Sequence, residues 1–373
     1  MSRKLRVALV HDHLVQDGGA EQVLRVFMRM WPEAPVYTAF FDPVRMGKDF
    51  AKQDIRTSFL DDLPLARRYY KWTLRWLDGA FRRFDLSDYD IVLSSASGWA
   101  KSVRTGPGTL HVCYCHTPIR YIWSDVDRYI TETGYPAPLK AMFRRMLAGF
   151  RRRDLRAAAG VDDLIANSEY VRRRIRRYYG RPAAVIHPPV DIAKFKPSRR
   201  QGGYFLVAGR LEPYKRNDIV IEATNRLQAP LVVMGDGTDR PRLQRLAGKT
   251  VRFTGRVSDA RRRTVFSEAT ALVNPQDEDF GITAVEALAS GTPVIAYRKG
   301  GATEILTPRT GRFFTAQTPA AVAAAMRAFD RDAFSRQDLV ARAREFAVAR
   351  FERRIRSHVD EAYDRFTRHA DRG

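Results

Sequence analysis

Residues 274–291 read NPQDEDFGITAVEALASG, which predicts the end of a buried strand, an acidic loop and the start of a helix. The loop follows the apolar run 269–273, and its acidic residues are followed by a chain-breaking Gly281. Strong helix formers then occupy residues 284–289. In parallel α/β folds such a unit repeats, and ligands bind at the carboxyl ends of the strands. This stretch therefore predicts both the fold class and one binding loop.

The same stretch combines two kinds of binding group. Glu278 lies in the loop, and Glu286 lies eight residues further on, in the first turns of the helix. The backbone amides of Ile282 and Thr283 begin the helix, where unpaired N–H groups and the helix dipole attract phosphate. Carboxylates beside an anion site suit a nucleotide-sugar, which carries hydroxyls for the acids and a diphosphate for the amides.

A second strand and loop of this kind occupies residues 204–215. Its apolar run ends in Gly209-Arg210-Leu-Glu-Pro-Tyr-Lys215. Two cations five residues apart across a proline-containing turn can converge on one diphosphate, Arg210 through paired hydrogen bonds and Lys215 as a point charge. We therefore expect the two loops to bind the same ligand.

The amino-terminal half follows the same plan. The apolar run 5–10 leads into a loop that ends in Gly18 and Gly19, ahead of a helix. Paired glycines let the backbone approach a ligand closely, and the helix start favours an anion. A later apolar run, 110–114, precedes His116, which is predicted to lie at the carboxyl edge of the sheet.

These motifs resemble those of the retaining glycosyltransferases with the GT-B fold that sequence classifications number four. The resemblance rests on Glu278-Asp-Phe-Gly281 ahead of a Glu-Ala-Leu helix, on Gly209-Arg-Leu-x-x-x-Lys215 and on the block His116-Thr-Pro. It implies an α/β protein in which two doubly wound, Rossmann-like domains face a cleft, as the alternation of strands and helices also predicts.

The resemblance also implies roles for individual residues. Arg210 and Lys215 would bind the donor diphosphate, Glu278 the sugar hydroxyls, and His116 the donor sugar near its reacting carbon. These four are the candidate catalytic residues. The other candidate donor-binding residues include Glu286 for the ribose and the turn at 256–257 for the base; the full set is Gly18, Gly19, Gly209, Arg256, Val257, Phe280, Gly281, Ile282, Thr283 and Glu286.

The length of 373 residues favours two domains. The Pro188-Pro189 break and the polar, basic stretch that follows it set the predicted boundary. We expect residues 1–190 to form the acceptor-binding domain and residues 191–350 the sugar-nucleotide domain. Residues 351–373 are expected to pack back onto the first domain as a helix.

The composition restricts the partners and the compartment. A net charge of +23 calls for a polyanionic partner or surface, such as nucleic acid or anionic lipid. No apolar run reaches the length of a membrane span, and the amino terminus does not resemble a signal peptide, so a cytoplasmic location is expected. Cys113 and Cys115 alternate on one predicted strand, which suits buried reduced thiols rather than a disulfide.

Residues 65–84, LARRYYKWTLRWLDGAFRRF, predict a basic amphipathic helix with aromatic residues on its apolar side. Such a helix can lie on the inner face of an anionic cytoplasmic membrane. It can equally pack against the core with a solvated basic back. The sequence leaves both interpretations open.

The sequences of the two binding loops look most like those of bacterial mannosyltransferases that use GDP-mannose in O-antigen or exopolysaccharide assembly. The resemblance therefore predicts a sugar-nucleotide donor, a lipid-linked saccharide acceptor, no metal and no other cofactor. Two rivals remain: a GT-B-fold sugar-nucleotide epimerase or phosphorylase, and a basic nucleic-acid-binding protein. Nucleic-acid binding would explain the charge but not the glycine loops, the paired cations or the acidic turn.

Overall fold

The computed structural model describes residues 5–67, 73–132 and 136–370. The chain divides into two compact units, one formed by Met1–His187 with Phe351–Gly373 and the other by Pro188–Arg350. The division falls three residues before the boundary expected from the sequence, immediately ahead of the Pro188-Pro189 pair. Each unit is an α/β domain built on its own sheet.

Within the described residues, the first unit has a parallel sheet of seven strands in the order β3-β2-β1-β4-β5-β6-β7. The central strands are buried throughout, as the continuous apolar runs of a sheet covered on both faces require. The strands are β1 (Val7–His11), β2 (Val36–Thr38), β3 (Ile55–Thr57), β4 (Ile91–Ala96), β5 (Leu110–Cys115), β6 (Asp163–Ala166) and β7 (Ala184–Val185). Cys113 and Cys115 on β5 are buried free thiols.

Helices connect these strands and carry their own start and stop signals. The last of them is preceded by Ser168, whose hydroxyl accepts a hydrogen bond from the Val171 amide at 3.1 Å, and is followed by Gly180, which has a φ of 67°. The helices are α1 (Gly19–Met30), α2 (Pro43–Met46), α3 (Lys48–Ala51), α4 (Leu74–Arg82), α5 (Val126–Glu132), α6 (Ala137–Ala159) and α7 (Glu169–Tyr179).

The second unit has a parallel sheet of six strands among the described residues, in the order β10-β9-β8-β11-β12-β13. Its strands are β8 (Phe205–Ala208), β9 (Leu231–Met234), β10 (Val251–Gly255), β11 (Ala271–Asn274), β12 (Val294–Tyr297) and β13 (Gly311–Phe314). Its helices are α8 (Asn217–Leu227), α9 (Arg240–Leu246), α10 (Asp259–Glu268), α11 (Ile282–Ala289), α12 (Ala302–Ile305), α13 (Pro319–Arg327) and α14 (Arg336–Arg344).

The carboxy-terminal helix α15 (Val348–Ala370) returns to the first unit, as the sequence predicts. The ring of Phe351 stacks on Phe27 of α1, with ring centroids 5.7 Å apart, and meets Tyr114 of β5 edge-on at the same distance. Arg354 donates a hydrogen bond to the Val185 carbonyl on the edge strand β7. Aromatic burial and cover for an edge strand thus hold the helix in place.

The prediction of one helix over 65–84 is wrong at its start. Residues 65–67 form a turn in which Leu65 has a φ of 62°, a backbone conformation that cannot continue a right-handed helix. Arg67 is bound there by Asp61 through hydrogen bonds of 2.6 and 2.8 Å. Helix α4 begins only at Leu74, and residues 68–72 lie outside the described residues.

No helix in the described ranges has the length and apolarity that crossing a bilayer requires.

Candidate functional site

The strand order places the candidate residues of each unit at one point of its sheet. In the second unit the order changes direction between β8 and β11, and in the first unit it changes between β1 and β4. The connections on either side of such a switch lead away from each other, which opens a crevice at the carboxyl ends of the two strands. Arg210 and Lys215 follow β8, and Glu278 follows β11.

Close backbone packing holds the loop after β8. A Cβ atom added to Gly235, which follows β9, would lie 1.9 Å from the Gly209 carbonyl oxygen, and Gly209 itself has a φ of 129°. Only glycine fits both positions. The Gly235 amide donates to the Gly255 carbonyl at 3.0 Å, so the ends of β8, β9 and β10 are joined.

Tyr214 lies between the two cations of this loop. The Arg210 guanidinium is 3.4 Å from the Tyr214 hydroxyl, and the Lys215 ammonium lies 5.4 Å from the centre of the Tyr214 ring. Arg210 is exposed, whereas the Lys215 side chain is 16% exposed. The sequence contains Tyr214 within the motif, but sequence reasoning gave it no role.

Lys215 and Glu278 meet directly. The Lys215 ammonium donates to Glu278 Oε1 and forms an ion pair with it. The other carboxylate oxygen, Oε2, is buried and makes no hydrogen bond within the described part of the chain. A Cβ atom on Gly281, which has a φ of 107°, would lie 3.1 Å from that oxygen. A glycine at 281 therefore leaves space beside the Glu278 carboxylate.

The acidic loop is supported from two sides. The Gly301 amide donates to the Glu278 carbonyl at 2.9 Å, and Phe280 is buried with its ring edge-on to Phe346 at 5.5 Å. Helix α11 begins at once, with Ile282 and Thr283 partly exposed in its first turn and no acidic side chain there. Amides in the first turn have no partner carbonyl within the helix, so this end of the helix favours an anion.

Glu286 lies further inside than the sequence suggested. It is 5% exposed and its carboxylate forms an ion pair with Arg262 of α10. Burial raises the pKa of Glu286, although the charge of Arg262 opposes that rise. Sequence reasoning missed Arg262, because nothing in the chain marks which residue of α10 faces α11.

The turn predicted to hold the base lies at the end of β10. Arg256 is exposed, and Val257 packs partly buried against the core of the unit. Gly255 before them has a φ of 67°, and a Cβ atom there would lie 3.5 Å from the Arg240 guanidinium. The base-binding role of this turn stays a prediction.

The candidate residues of the first unit lie at its own switch point. His116 directly follows β5 and is 9% exposed, with its Nε2 2.8 Å from the Ser95 hydroxyl on β4. Burial, with the nearby His11, lowers the pKa of His116 to about 4, so the ring is neutral at neutral pH.

Gly18 and Gly19 stand at the start of α1, as expected. Gly18 is the residue before the helix, and a Cβ atom there would lie 3.1 Å from the carboxylate of Glu21. Glu21 is buried, and its Oε1 is 3.6 Å from Nε2 of His11, the last residue of β1. Burial tends to raise the pKa of Glu21, but His11 outweighs it and the pKa is lowered.

Asp12 is an organising residue that sequence reasoning missed. Its carboxylate accepts hydrogen bonds of 2.6 to 2.8 Å from the amides of Ser97, Gly98 and Ala100 after β4. A Cβ atom on Gly98 would lie 2.9 Å from Asp12 Oδ1, so the glycine permits this approach. The run His11-Asp12-His13 at a strand end was the available signal, since polar residues there face the ligand edge.

Two parallel sheets of this order, each with candidate binding residues at its switch point, define the GT-B class of fold. Solved structures agree. The UDP complex of Anabaena Alr3699/HepE has a TM-score of 0.70 at 18% identity, covering 96% of this chain and 100% of that chain. Sucrose-phosphate synthase from Thermosynechococcus elongatus has a TM-score of 0.73 at 17% identity, covering 97% and 100%.

Two family models match the chain. Residues 17–194 match the model described as Glycosyltransferase Family 4, and residues 191–346 match that described as Glycosyl transferases group 1. The two matches overlap at residues 191–194 and together extend over residues 17–346, so glycosyltransferase family models match most of both units.

The matches to curated relatives cover only part of each chain. D-inositol 3-phosphate glycosyltransferase of Streptomyces avermitilis is 29% identical over 65% of this chain and 58% of that protein. GDP-mannose-dependent alpha-(1-6)-phosphatidylinositol dimannoside mannosyltransferase of Mycobacterium tuberculosis is 32% identical over 42% of this chain and 46% of that protein. The match thus spans about half the length of these relatives.

Proposed function

We propose that this chain is a retaining glycosyltransferase that transfers a hexose, mannose from GDP-mannose, to a lipid-linked saccharide acceptor in cell-surface polysaccharide assembly. The observation that carries the proposal is the contact between Lys215 and Glu278 at the switch point of the second unit. One loop thereby offers cations for a diphosphate, and the other offers a carboxylate for the hydroxyls of the attached sugar.

The geometry supports leaving-group stabilisation as the main catalytic task. When the bond between the sugar carbon and the diphosphate breaks, charge develops on the phosphate oxygen. Lys215 uses one of its three N–H donors on Glu278, and the other two make no hydrogen bond in the described residues. Arg210 and the first amides of α11 add further donors.

Glu278 provides the sugar contact. Its buried Oε2 is an acceptor that a sugar hydroxyl can satisfy, which removes the cost of an unpaired buried oxygen. The acceptor hydroxyl attacks the sugar carbon on the side that the diphosphate leaves, and its proton passes to the departing phosphate oxygen. No protein base and no metal or other cofactor is required by this scheme.

GDP-mannose is favoured over other donors because the mycobacterial relative is a GDP-mannose-dependent mannosyltransferase. The HepE structure contains UDP, so a uridine donor is the direct competitor. A thermal-shift series with GDP-mannose, UDP-glucose and GDP alone distinguishes the donors, because a ligand that binds only the folded state raises its melting temperature. A larger shift with UDP-glucose would overturn the guanosine assignment and leave the transferase assignment intact.

Transfer itself is tested by product analysis. A glycosyltransferase consumes the sugar nucleotide only when an acceptor extract is present, and the label moves to the lipid fraction. Conversion of the sugar nucleotide without any acceptor would instead identify an epimerase. Tight binding of nucleic acid without binding of any sugar nucleotide would support the binding-protein alternative.

The location at the inner face of the cytoplasmic membrane is a separate part of the proposal. Leu65 and Trp76 are 66% and 45% exposed, and the Arg75 guanidinium lies 4.2 Å from the Trp76 ring centre. Exposed apolar side chains beside arginines suit an anionic lipid surface.

Flotation with phosphatidylglycerol vesicles tests this location. Arg75→Glu should weaken binding, since each basic residue near such a surface contributes about 1 kcal/mol. Arg104→Glu is the matched control, because Arg104 is also exposed in the first unit but pairs with Asp85. Equal vesicle binding by both variants would remove the membrane from the proposal.

A further inference from the structure

Four polar side chains form a connected series at the switch point of the first unit. Glu21 Oε1 lies 3.6 Å from His11 Nε2, and His11 Nδ1 lies 3.2 Å from Ser95 Oγ. Ser95 Oγ lies 2.8 Å from His116 Nε2. The series joins the start of α1 to the residue that follows β5.

The sheet register brings these side chains together. His11 is the direct pairing partner of Ser95 across β1 and β4, and the His116 amide donates to the Ala96 carbonyl at 2.8 Å. The contact with Glu21 depends on the turn into α1, where Gly18 leaves room for the carboxylate. The arrangement is therefore fixed by backbone pairing rather than by flexible surface side chains.

All four groups are buried, at 3% exposure for Glu21, 2% for His11, 0% for Ser95 and 9% for His116. Buried polar groups of this kind are stable when they satisfy one another. His116 Nδ1 is the ring nitrogen outside the series, and it makes no hydrogen bond to the described residues. His116 is the most exposed member of the series, so a substrate hydroxyl can extend the series through that atom.

The number of protons in the series restricts which atom donates in each hydrogen bond. A carboxylate beside His11 Nε2 favours the tautomer that carries its proton there, which leaves Nδ1 as an acceptor. Ser95 has one hydroxyl proton, and it must then donate that proton to His11. The Ser95 oxygen is left to accept a hydrogen bond from His116 Nε2–H.

We propose that Glu21, His11 and Ser95 are positioning residues that keep the proton of His116 on Nε2 and present its bare Nδ1 to a hydroxyl of the sugar substrate. The inference rests on the proposed function for the presence of that sugar. The tautomer itself is a property of the protein alone. The two parts can therefore fail independently.

Ring nitrogen signals of ¹⁵N-histidine-labelled protein report the tautomer directly, with His116→Asn identifying the His116 signals. The wild type should show a protonated Nε2 and a bare Nδ1. Ser95→Ala removes the acceptor of Nε2–H and should give averaged signals from both tautomers. Ser95→Thr keeps the hydroxyl and should restore the wild-type pattern, and Glu21→Gln should shift the pattern partway.

Kinetics with GDP-mannose and the acceptor extract test the consequence. Ser95→Ala should lower kcat about 10- to 100-fold with little change in KM, an effect of the size found when a supporting partner is removed. Ser94→Ala is the matched control, since Ser94 forms an equally buried hydrogen bond of 2.9 Å with His111 on the same strand pair and has no contact with His116. It should change neither kcat nor the His116 signals.

An unchanged His116 pattern in Ser95→Ala would overturn the inference, even if activity fell, because the loss would then be structural. An altered pattern with unchanged kcat would overturn it as well. If the wild type transfers no sugar from any sugar nucleotide, the proposed function fails, and the nitrogen signals alone decide whether the three residues set the tautomer.

Discussion

Each unit contains a lysine paired with a carboxylate, and the two pairs differ in what surrounds them. In the first unit Lys101 and Asp154 are 2.6 Å apart and are 2% and 0% exposed. In the second unit Lys215 and Glu278 are in direct contact and are each 16% exposed. Lys101 follows β4 and Asp154 lies in α6, whereas Lys215 follows β8 and Glu278 follows β11. Strands β4, β8 and β11 each flank the switch point of their sheet.

The buried pair has partners at both carboxylate oxygens: Lys101 pairs with Asp154 Oδ1, and two hydrogen bonds reach Oδ2. Lys101 also donates to the Gly98 carbonyl at 2.6 Å, and Asp154 Oδ2 accepts from Trp123 Nε1 at 2.6 Å and from the Tyr179 hydroxyl at 2.9 Å. Burial by itself would lower the pKa of Lys101, but the charge of Asp154 outweighs it and the pKa is raised. Neither side chain of this pair reaches the surface, so a ligand cannot contact it.

The pair in the second unit is incomplete by comparison. Glu278 Oε2 makes no hydrogen bond in the described residues, and Gly281 lies beside it. A charge pair that keeps unused donors and acceptors near the surface can exchange partners with a ligand. The comparison therefore separates a pair that stabilises the fold from a pair that is suited to binding.

The largest expected effect is on stability. Lys101→Met leaves Asp154 as an unpaired buried charge and should lower the free energy of unfolding by about 3–5 kcal/mol in urea titrations. Arg104→Met breaks the exposed pair with Asp85 and should cost much less, because solvent screens that pair. Adding Asp154→Asn to Lys101→Met should recover part of the loss. Equal costs for Lys101→Met and Arg104→Met would contradict a structural role for the buried pair.

The second expected effect is on catalysis. Lys215→Ala should lower kcat about 10²- to 10³-fold, as removal of one oxyanion donor does, and Arg210→Ala should fall in the same range. Unfolding of the Lys215 variant should be nearly unchanged, in contrast to Lys101→Met. Lys194→Ala, which breaks an exposed pair with Asp191 in the same unit, is the control and should retain activity. Full activity in Lys215→Ala would remove the leaving-group role.

Sequence patterns were sufficient for the parts of the structure that are local. Apolar runs, glycines and helix formers predicted the strand, loop and helix around residues 274–291. The predicted helix over 65–84 failed because Leu65 adopts a positive φ and Asp61 binds Arg67. Those contacts depend on the fold, and no periodicity in the sequence encodes them.

Contacts between residues far apart in the chain could not be predicted from the sequence for the same reason. Nothing in the chain states that Lys215 touches Glu278, that Arg262 pairs with Glu286, or that Ser95 lies beside His11. These contacts follow from strand order and register, which place residues far apart in sequence at one sheet edge. Glycine loops and charged motifs identify the edge but not the pairs.

A smaller effect tests the charge of the Lys215–Glu278 pair. Glu278→Gln keeps the shape but removes the charge and replaces one acceptor oxygen with an NH2 donor, so kcat should fall about 10- to 100-fold, equivalent to one charge-assisted hydrogen bond. Its melting temperature should stay close to that of the wild type. Glu222→Gln makes the same charge change on the α8 surface of the same unit and should be silent. Unchanged kinetics in Glu278→Gln would exclude Glu278 from the site.

The smallest effect per residue concerns two histidines that are buried in their neutral form rather than in ion pairs. Burial lowers the pKa of His111 and of His116 to about 4, below the ordinary value of 6.5. Below pH 6.5 these histidines bind protons in the unfolded chain but not in the folded chain. The free energy of unfolding therefore decreases as the pH is lowered to about 4. Between pH 6.5 and 5 each histidine should cost about 2 kcal/mol in the free energy of unfolding.

Urea titrations at the two pH values measure this loss, and His111→Gln should remove about half of it by deleting one of the two groups. The same experiment on Lys101→Met separates the two kinds of burial, since the histidine contribution to the pH dependence should persist when the ion pair is gone. A pH dependence between 6.5 and 5 that is as steep in His116→Gln as in the wild type would mean that the His116 ring accepts a proton in the folded state. His116 would then be a cation rather than a neutral acceptor for a sugar hydroxyl.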